Sequence, residues 1–247
     1  MDIKQYLDST YLKTAEQAGV TEEENILIAQ QFIREAMEEN FKLIMLRPNR
    51  VALAKEMILK AKSTVQVGTV IDFPHGKSAV EEMLKEAVQA IHDGADDLDF
   101  VCNYEAFKTG AIDLVKKEIL ECTQLGLEKK KVVKWIIEVA ALNDKEIIQL
   151  SSLIKNVVGS NFEQELFSKV FVKSSTGFYK TQNNLPNGAT VPAIKMMLEN
   201  ASPLPVKAAG GVRTYEEAVG MIEMGVKRIG TSGAKMIANG QNCNNEY

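Results

Sequence analysis

Short apolar segments alternate with amphipathic segments along the whole chain, and this alternation restricts the fold more than any other feature of the sequence. Eight of the apolar segments have strand character, and they span residues 5–8, 42–46, 65–71, 97–101, 131–138, 169–173, 204–208 and 227–231. Eight strands that are each followed by a helix predict a single α/β domain, the (β/α)8 or TIM barrel. An open doubly wound sheet is the competing fold, but no Gly-rich dinucleotide loop follows the early strands.

The length of the chain, 247 residues, suits one barrel, and the sequence contains no linker rich in Pro, Gly or Ser. Hydrophobic residues make up 45% of the chain, which is enough for a full core. We therefore expect one barrel domain over residues 1–238, followed by a polar tail over residues 239–247.

Charge, hydropathy and cysteine content give expectations about partners and location. The formal net charge of −4 disfavours a nucleic-acid partner and a membrane-surface partner. The first residues, MDIKQYLDST, are too polar for a signal peptide, and no apolar run reaches the roughly 20 residues that span a bilayer. Three cysteines without a CxxC spacing are typical of a reducing compartment, so a cytoplasmic location is expected.

Helix start and stop signals lie between the predicted strands. Capping patterns are present at Thr21-x-x-Glu24, Ser78-x-x-Glu81, Asn143-x-x-Glu146 and Thr214-x-x-Glu217. Three helices are expected to end just before Gly94, Gly126 and Gly225, because glycine readily adopts the left-handed conformation that terminates a helix.

The predicted strand ends carry an unusual number of charged residues. In a barrel, residues at the carboxyl ends of the strands line the active-site mouth. In chain order these ends are Asp8, Met45, Asp72, Asp99, Glu138, Lys173, Lys207 and the GTSG turn at 230–233. A single strand-end lysine is usually a solvated side chain. Two of them on consecutive strands, in VFVKSSTG and LPVKAAGG, favour a catalytic function.

Two lysines that lie close together can supply a nucleophile that one lysine cannot. A free lysine has a pKa of about 10.4, so about one in 2,500 is neutral at pH 7. Burial and a neighbouring ammonium group both lower the pKa of a lysine, and the neutral amine can attack a carbonyl to form a Schiff base. The iminium withdraws electrons, so the adjacent carbon can lose a proton, with Asp99 as acid or base. This combination indicates aldol chemistry.

Two glycine-containing turns indicate a phosphate site. Gly210 and Gly211 let backbone N–H groups approach an anion, and a second turn, in IGTSGAKMI at 229–237, opens a helix. The loops after strands 7 and 8 are the usual phosphate site of a barrel. A small phosphorylated molecule is therefore the expected substrate.

Five motifs together resemble deoxyribose-phosphate aldolase over nearly the whole chain, from about Asp8 to Gly233. They are VGTVIDFPHG at 67–76, GADDLDFV at 94–101, FVKSSTGF at 171–178, VKAAGGVR at 206–213 and RIGTSGA at 228–234. The resemblance implies a metal-free class I aldolase that uses no cofactor and pairs as a homodimer. It would reversibly cleave the sugar phosphate 2-deoxy-D-ribose 5-phosphate to D-glyceraldehyde 3-phosphate and acetaldehyde.

The same resemblance implies a function for each matched residue. Lys173 would form the Schiff base, Lys207 would lower the pKa of Lys173, and Asp99 would relay protons. Asp8, in LDST, matches a further active-site aspartate. The residues implied for the phosphate pocket are Gly177, Gly210, Gly211 and Ser232.

Three residues depart from the family pattern. They are Ala208 where Pro or Ser is frequent, Gly233 where Ser is frequent, and Met45 where Cys or a smaller apolar residue is usual. LDST also replaces the more common Asp-His-Thr. The first two changes bear on the phosphate pocket and the third on the width of the mouth, and all leave the catalytic groups in place.

Other polar residues favour structural functions. The two histidines are too few to build a metal site. Cys102 has no evident His partner and is expected to be a buried thiol. Glu138 is expected to pair with a strand lysine such as Lys134, with catalytic proton transfer as the alternative. Trp135 is expected to pack under a helix.

Two questions stay open at the level of the sequence. The hydroxyl of Tyr247 could lie over the barrel mouth, and disorder of the polar tail is the alternative. A sugar-phosphate isomerase barrel without a covalent lysine and a non-catalytic sugar-phosphate-binding barrel are the competing functions. The isomerase explains the phosphate loops but leaves both strand-end lysines without a function.

Overall fold

The structure is a computed structural model that describes residues 2–182 and 185–241. Within these residues, eight parallel strands close into one barrel in chain order, with the last strand paired to the first. The strands are β1 Leu7–Tyr11, β2 Leu43–Leu46, β3 Gln66–Ile71, β4 Asp97–Val101, β5 Val132–Ile136, β6 Val170–Lys173, β7 Val206–Ala209 and β8 Arg228–Thr231. The predicted TIM barrel is therefore confirmed.

The α-helices of the described residues surround the barrel. They are α1 Ala15–Ala18, α2 Glu22–Glu38, α3 Val51–Lys60, α4 Val80–His92, α5 Tyr104–Lys108, α6 Ile112–Glu128, α7 Asp144–Asn161, α8 Val191–Ala201, α9 Tyr215–Glu223 and α10 Ala234–Ala238. In this part of the chain, no helix combines the length and the hydropathy needed to cross a membrane.

The main hydrophobic core lies between the outer face of the barrel and the helices. Trp135 on β5 is fully buried, stacks on Phe100 of β4, and donates a hydrogen bond from Nε1 to Thr123 Oγ1 of α6 at 3.0 Å. This contact confirms that Trp135 packs under a helix. Cys102 is buried too, and burial raises the pKa of its thiol, as expected for a structural cysteine.

The predicted first strand, 5–8, is wrong over its first half. Residues Ile3–Tyr6 form a short 3-10 helix that is capped by Asp2, whose carboxylate accepts a hydrogen bond from the N–H of Lys4. The strand therefore begins at Leu7, and Asp8 lies near the start of β1 instead of at its end.

Three of the four predicted capping patterns are confirmed. At Thr21, Asn143 and Thr214 the side chain accepts from the backbone N–H three residues later, and the glutamate there accepts from the N–H of the cap. The pattern at Ser78 is wrong, because α4 begins at Val80. The N–H and hydroxyl of Ser78 both donate to the carboxylate of Asp72 instead, at 2.8 and 2.7 Å.

Gly94 and Gly225 follow the ends of α4 and α9 as predicted, but Gly126 does not end a helix. The helix α6 continues through it to Glu128. A Cβ atom at Gly126 would lie 2.3 Å from Cγ2 of Val133 on β5. The glycine is therefore needed for the close approach of α6 to the barrel.

Candidate active site

Seven of the buried charged side chains in the described part of the chain contact one another inside the barrel. We call this group the lumen network; its members are Asp8, Asp97, Asp99, Lys134, Lys173, Lys207 and Arg228. Asp99 on β4 contacts Lys207 on β7 although these strands are not neighbours. Such a contact can only be made across the barrel interior.

Strand register places these side chains on the same, inner face of the barrel wall. Lys173 on β6 is the register partner of Lys207 on β7, and Asp99 on β4 is the register partner of Lys134 on β5. Lys207 is also the register partner of Arg228 on β8. Because register partners on neighbouring parallel strands point to the same face, all of these side chains enter the lumen together.

The carboxylate of Asp99 is the centre of the network. Its Oδ2 atom accepts hydrogen bonds from Nζ of Lys173 at 2.9 Å and from Nζ of Lys207 at 3.0 Å. Its Oδ1 atom accepts from Nζ of Lys134 at 2.8 Å. The two lysines that sequence analysis singled out therefore meet on a single oxygen atom.

Two further aspartates complete the network on either side of Asp99. Asp8 Oδ2 forms an ion pair with Nζ of Lys207 at 2.6 Å, and Asp8 Oδ1 accepts from Nε of Arg228 at 2.7 Å. Asp97 Oδ2 accepts from Nζ of Lys134 at 2.6 Å. Burial alone would raise the pKa of Asp8, but Arg228 and Lys207 hold it below its usual value, so Asp8 is ionised.

The positions of the network residues within the strands correct the expectation that they lie at strand ends. Asp8, Asp99 and Lys207 are internal residues of β1, β4 and β7, and only Lys173 among the four predicted catalytic residues ends its strand. The charged groups therefore lie within the barrel instead of on its rim. Sequence analysis missed Asp97 and Arg228 as members, and assigned Lys134 to another partner.

A glycine on β8 makes room for Lys207 in the lumen. A Cβ atom at Gly230 would lie 3.1 Å from Cε of Lys207 and 3.3 Å from Cβ of Ala209. Such distances are shorter than those of ordinary van der Waals contacts, so any side chain there would push Lys207 aside. The missing side chain at Gly230 therefore leaves room for Lys207 to extend to Asp99.

The charges of the lumen network do not balance when all its members are ionised. Four of the seven groups are cations and three are carboxylates. Burial lowers the pKa of Lys173 to about 8; the carboxylate of Asp99 opposes this change, and the ammonium groups of Lys207 and Lys134 add to it. Loss of the proton of Lys173 leaves three cations facing three carboxylates. Lys173 is therefore the member of the network best suited to become a neutral amine.

Asp99 keeps its negative charge in this setting. Burial would raise the pKa of Asp99, but Lys134, Lys173 and Lys207 together hold it well below its usual range. Asp99 is thus a permanent acceptor for the protons of the two lysines that share its Oδ2 atom.

The predicted phosphate residues lie in the three loops that follow β6, β7 and β8. Gly177, Gly210 and Gly211 have left-handed φ values of 81°, 82° and 82°, which favour glycine. The loops are tied together: Ser174 Oγ donates to the carbonyl oxygen of Ala209 at 2.8 Å, and Thr231 Oγ1 donates to that of Val212 at 3.1 Å. Ser232 lies in the last of these loops, directly after β8. The structure thus groups all four residues on one side of the mouth.

The expected pairing of Glu138 with Lys134 is wrong. Lys134 is taken by Asp97 and Asp99, whereas the carboxyl group of Glu138 contacts Ser175 and Thr176 in the loop after β6. Glu138 lies beyond the end of β5 and has a left-handed φ of 54°. Glu138 therefore does not continue the extended strand that carries Lys134, and its carboxyl group lies against the loop after β6 instead.

The other side of the lumen is apolar. Leu12, Leu43, Met45 and Val70 pack together as what we call the apolar cluster, with Phe73 and Phe178 partly buried against it. A Cβ atom at Gly68 would lie 2.7 Å from Cε of Met45, so the glycine makes room for the methionine.

The other two departures from the family pattern lie in different surroundings. Ala208 is buried in the main core, on the face of β7 opposite to Lys207, so it lies away from the phosphate loops. Gly233 directly precedes α10, and its N–H donates to Thr231 Oγ1 at 3.1 Å. Tyr247 and the rest of the predicted tail beyond residue 241 lie outside the described residues.

A closed (β/α)8 barrel with a buried, weakly basic lysine and convergent glycine turns at its mouth defines an enzyme of the α/β-barrel class. The family model described as DeoC/LacD family aldolase matches residues 13–240. The chain therefore belongs to this family of aldolases, and it is a carbon–carbon lyase.

Individual relatives agree with this assignment. Deoxyribose-phosphate aldolase of Thermococcus gammatolerans is 40% identical over 241 residues, which cover 97% of this chain and 96% of that protein. The protein of the same name from Streptococcus suis is 36% identical over 248 residues, with 100% of both chains covered.

Solved structures show the same fold. An aldolase named QR15 superposes with a TM-score of 0.80 at 32% identity, covering 97% of this chain and 95% of that one. Deoxyribose phosphate aldolase from Aeropyrum pernix, described as a unique tetrameric structure, superposes with a TM-score of 0.75 at 28% identity, covering 96% and 89%.

Proposed function

We propose that this aldolase reversibly cleaves 2-deoxy-D-ribose 5-phosphate to D-glyceraldehyde 3-phosphate and acetaldehyde, through a Schiff base on Lys173. One observation carries the proposal: Lys173 shares Oδ2 of Asp99 with Lys207 in a buried network that has one cation more than it has carboxylates. An amine in this position loses its proton more easily than a solvated lysine, and a neutral amine is the form that attacks an aldehyde.

The first half of the reaction builds the iminium. Nζ of Lys173 attacks C1 of the open-chain sugar, an N–C bond forms, and the C1 oxygen leaves as water after it has received protons. Oδ2 of Asp99 is hydrogen-bonded to Nζ of Lys173, and Nζ of Lys207 is hydrogen-bonded to the same oxygen atom. Asp99 and Lys207 can therefore deliver and remove these protons. Asp8 holds the ammonium group of Lys207 in place.

The second half breaks the C2–C3 bond. The proton of the C3 hydroxyl passes through water at the barrel mouth to bulk solvent, C3 becomes the aldehyde of glyceraldehyde 3-phosphate, and the electrons of the C2–C3 bond move to C2, which gives the enamine. This step removes the positive charge of the iminium and leaves three network cations facing three carboxylates. The charge excess of the network therefore favours the cleavage step. Protonation at C2 and hydrolysis of the iminium then release acetaldehyde and restore the amine.

The phosphate group would lie against the loops after β6, β7 and β8, with Gly177, Gly210, Gly211 and Ser232 around it. Backbone N–H groups at glycines with left-handed φ form concave anion sites without side-chain interference. A homodimer and a cytoplasmic location stay predictions from the sequence, as does the domain boundary at residue 238.

Borohydride trapping tests the proposed function. The protein is incubated with acetaldehyde and sodium borohydride, and the modified residue is mapped by mass spectrometry; we expect a reduced two-carbon adduct on Lys173 and none in Lys173→Leu. Turnover of the sugar phosphate without any adduct would indicate an isomerase barrel. Binding of the sugar phosphate without turnover would indicate a non-catalytic barrel.

A further inference from the structure

The hydroxyl group of Ser175 has more acceptors around it than it has protons. Its Oγ atom lies 2.6 Å from Oε1 of Glu138 and 2.7 Å from the carbonyl oxygen of Asn187, and it accepts the N–H of Gly177 at 3.1 Å. A serine hydroxyl carries one proton, and both a carboxylate and a carbonyl oxygen can only accept. One of the two short contacts therefore lacks a proton unless Glu138 itself carries one.

We propose that Glu138 is a neutral carboxylic acid in the resting enzyme and acts as a positioning residue for the loop after β6. Its Oε1–H donates to Ser175 Oγ, and the hydroxyl of Ser175 donates to the carbonyl oxygen of Asn187. Its Oε2 atom accepts from the N–H and the hydroxyl of Thr176, both of which contact it. With this proton every short contact around Glu138 becomes a hydrogen bond.

The surroundings of Glu138 favour the neutral form. Its side chain is 1% exposed, and burial raises the pKa of its carboxyl group, although Ser175, Thr176 and Lys173 partly oppose this change. Among the described residues, Lys173 of β6 and Tyr104 of α5 are titratable groups that interact with Glu138. Burial raises the pKa of Tyr104 to about 12, so Tyr104 is an uncharged phenol.

The proton of Glu138 affects two loops because the loop after β6 is pressed against the turn after β7. The N–H of Ala189 donates to the carbonyl oxygen of Gly210 at 2.8 Å, and a Cβ atom at Gly188 would lie 2.3 Å from that oxygen. The chain of contacts thus runs from Glu138 through Ser175 and Asn187 to Gly210. It links Glu138 to two of the turns around the proposed phosphate pocket.

The same proton preserves the charge excess of the lumen network. A carboxylate at Glu138 would be a fourth anion near Lys173, matching the four cations and favouring the protonated lysine. As a neutral acid, Glu138 can hold the loop without stabilising the ammonium form of the proposed nucleophile. This inference rests on the proposed function of Lys173 and of the phosphate loops.

Glu138→Gln tests the charge of residue 138, because the amide keeps one donor and one acceptor and is always neutral. We expect the pH midpoint of borohydride trapping at Lys173 to stay within about 0.3 units of the wild-type value. A shift of the midpoint to lower pH would overturn the proposal, since it would show that an anion had been removed. Asp99→Asn is the positive control, because it removes an ionised carboxylate and should lower the midpoint.

The positioning function is tested by comparing two substrates. Glu138→Leu should raise the KM for 2-deoxyribose 5-phosphate about tenfold, while kcat/KM for unphosphorylated 2-deoxyribose changes less than about threefold. In Glu138→Gln, the KM for the sugar phosphate should return most of the way to the wild-type value. The matched control is Glu118→Leu, at a second buried glutamate that lies on α6 and contacts Asn103 instead of the loop. Equal losses on both substrates, or equal effects of the two Leu variants, would contradict the proposal.

Two measurements keep the test decisive if Glu138→Leu does not fold. Ser175→Ala cuts the same link and should give the same selective rise in KM; an unselective loss contradicts the proposal. The infrared C=O band of a protonated carboxyl group should be present at pH 7 and lost in Glu138→Gln, whereas an unchanged spectrum would overturn the assigned proton. The infrared result does not depend on Schiff-base formation, so it separates a failure of this inference from a failure of the proposed function.

Discussion

The two sides of the barrel lumen are built from the same kind of strand but are filled in opposite ways. The apolar cluster on one side consists of packed side chains, and the lumen network on the other consists of buried ions. Each side has a glycine on an inner strand face, Gly68 beside Met45 and Gly230 beside Lys207. A glycine on one strand therefore makes room for a long side chain from the neighbouring strand, and that side chain can be apolar, as at Met45, or charged, as at Lys207.

The two sides differ in what they contribute to the protein. Apolar burial stabilises the fold by about 25 cal/mol per Å². Buried ions lose their hydration, and their attraction often does no more than offset this cost. We therefore expect the apolar cluster to contribute mainly to stability and the lumen network mainly to chemistry, and substitutions on each side can test this division.

The largest expected effect is the loss of activity in Lys173→Leu. Removal of the proposed nucleophile should lower kcat/KM for 2-deoxyribose 5-phosphate at least about 10⁴-fold, because the Schiff base that the proposal requires forms on the amine of Lys173. Thermal melting should show that the variant is folded, since Asp99 keeps Lys134 and Lys207 as partners. Activity within tenfold of the wild-type value would place the chemistry elsewhere. Lys117→Leu, on the exposed surface of α6, is the control.

Lys134→Met should cause the largest change in stability. It leaves Asp97 without its 2.6 Å partner and Asp99 without one of three, so the free energy of unfolding should fall by about 3–5 kcal/mol in urea titrations. The double variant Lys134→Met/Asp97→Leu should recover part of this loss, because it also removes the buried carboxylate of Asp97 that had lost its lysine partner. If the single variant is as stable as the wild type, removal of one partner of these buried ion pairs carries no cost in folding free energy, and the expected destabilisation is wrong.

Lys207→Leu should change both rate and pH dependence. We expect kcat to fall about 10²-fold, because a proton donor next to Lys173 is lost. The network then has three cations and three carboxylates with Lys173 protonated, and the pKa of Lys173 rises because a neighbouring cation is gone. The pH midpoint of borohydride trapping should therefore move upward. A midpoint that stays in place would show that burial alone sets the basicity of Lys173.

The smallest effect is expected on the apolar side. Met45→Leu nearly conserves volume in the apolar cluster, so the free energy of unfolding should change by less than about 1.5 kcal/mol. Activity on 2-deoxyribose 5-phosphate should stay within about threefold of the wild-type value. A loss of activity comparable to that of Lys207→Leu would mean that the two sides of the lumen are coupled and that the division proposed above is wrong.

The barrel and the two lysines that share the Asp99 carboxylate could be predicted because both follow from patterns that are local in sequence. Alternation of strands and helices fixes the fold class, and Lys173 and Lys207 stand out at the ends of short apolar runs. Asp97 and Arg228 carry no such signal. Asp97 pairs with Lys134 on the neighbouring strand and with Arg228 across the lumen, and Arg228 meets Asp8 because closure of the barrel places β8 beside β1. These contacts depend on the closed barrel and not on spacing along the chain.

The failed predictions have equally specific causes. The capping pattern at Ser78 competes with the carboxylate of Asp72, which takes both donors of Ser78. Gly126 lies inside α6, where it allows the helix to pack closely on β5. A glycine after an amphipathic segment does not show whether it ends the helix or allows such close packing. Glu138 is expected to pair with a lysine of its own predicted strand, but its left-handed backbone lies beyond the end of β5. In each case a tertiary contact or a backbone change outweighs a local rule.

Gly230 has a consequence for how such a barrel can be altered. A Cβ atom at Gly230 would lie 3.1 Å from Cε of Lys207, so one added methyl group there would displace this lysine slightly without replacing any ionisable residue. Evolution or protein engineering could therefore adjust the basicity of the lysine on β6 in small increments from β8, at a residue that has no polar side chain of its own.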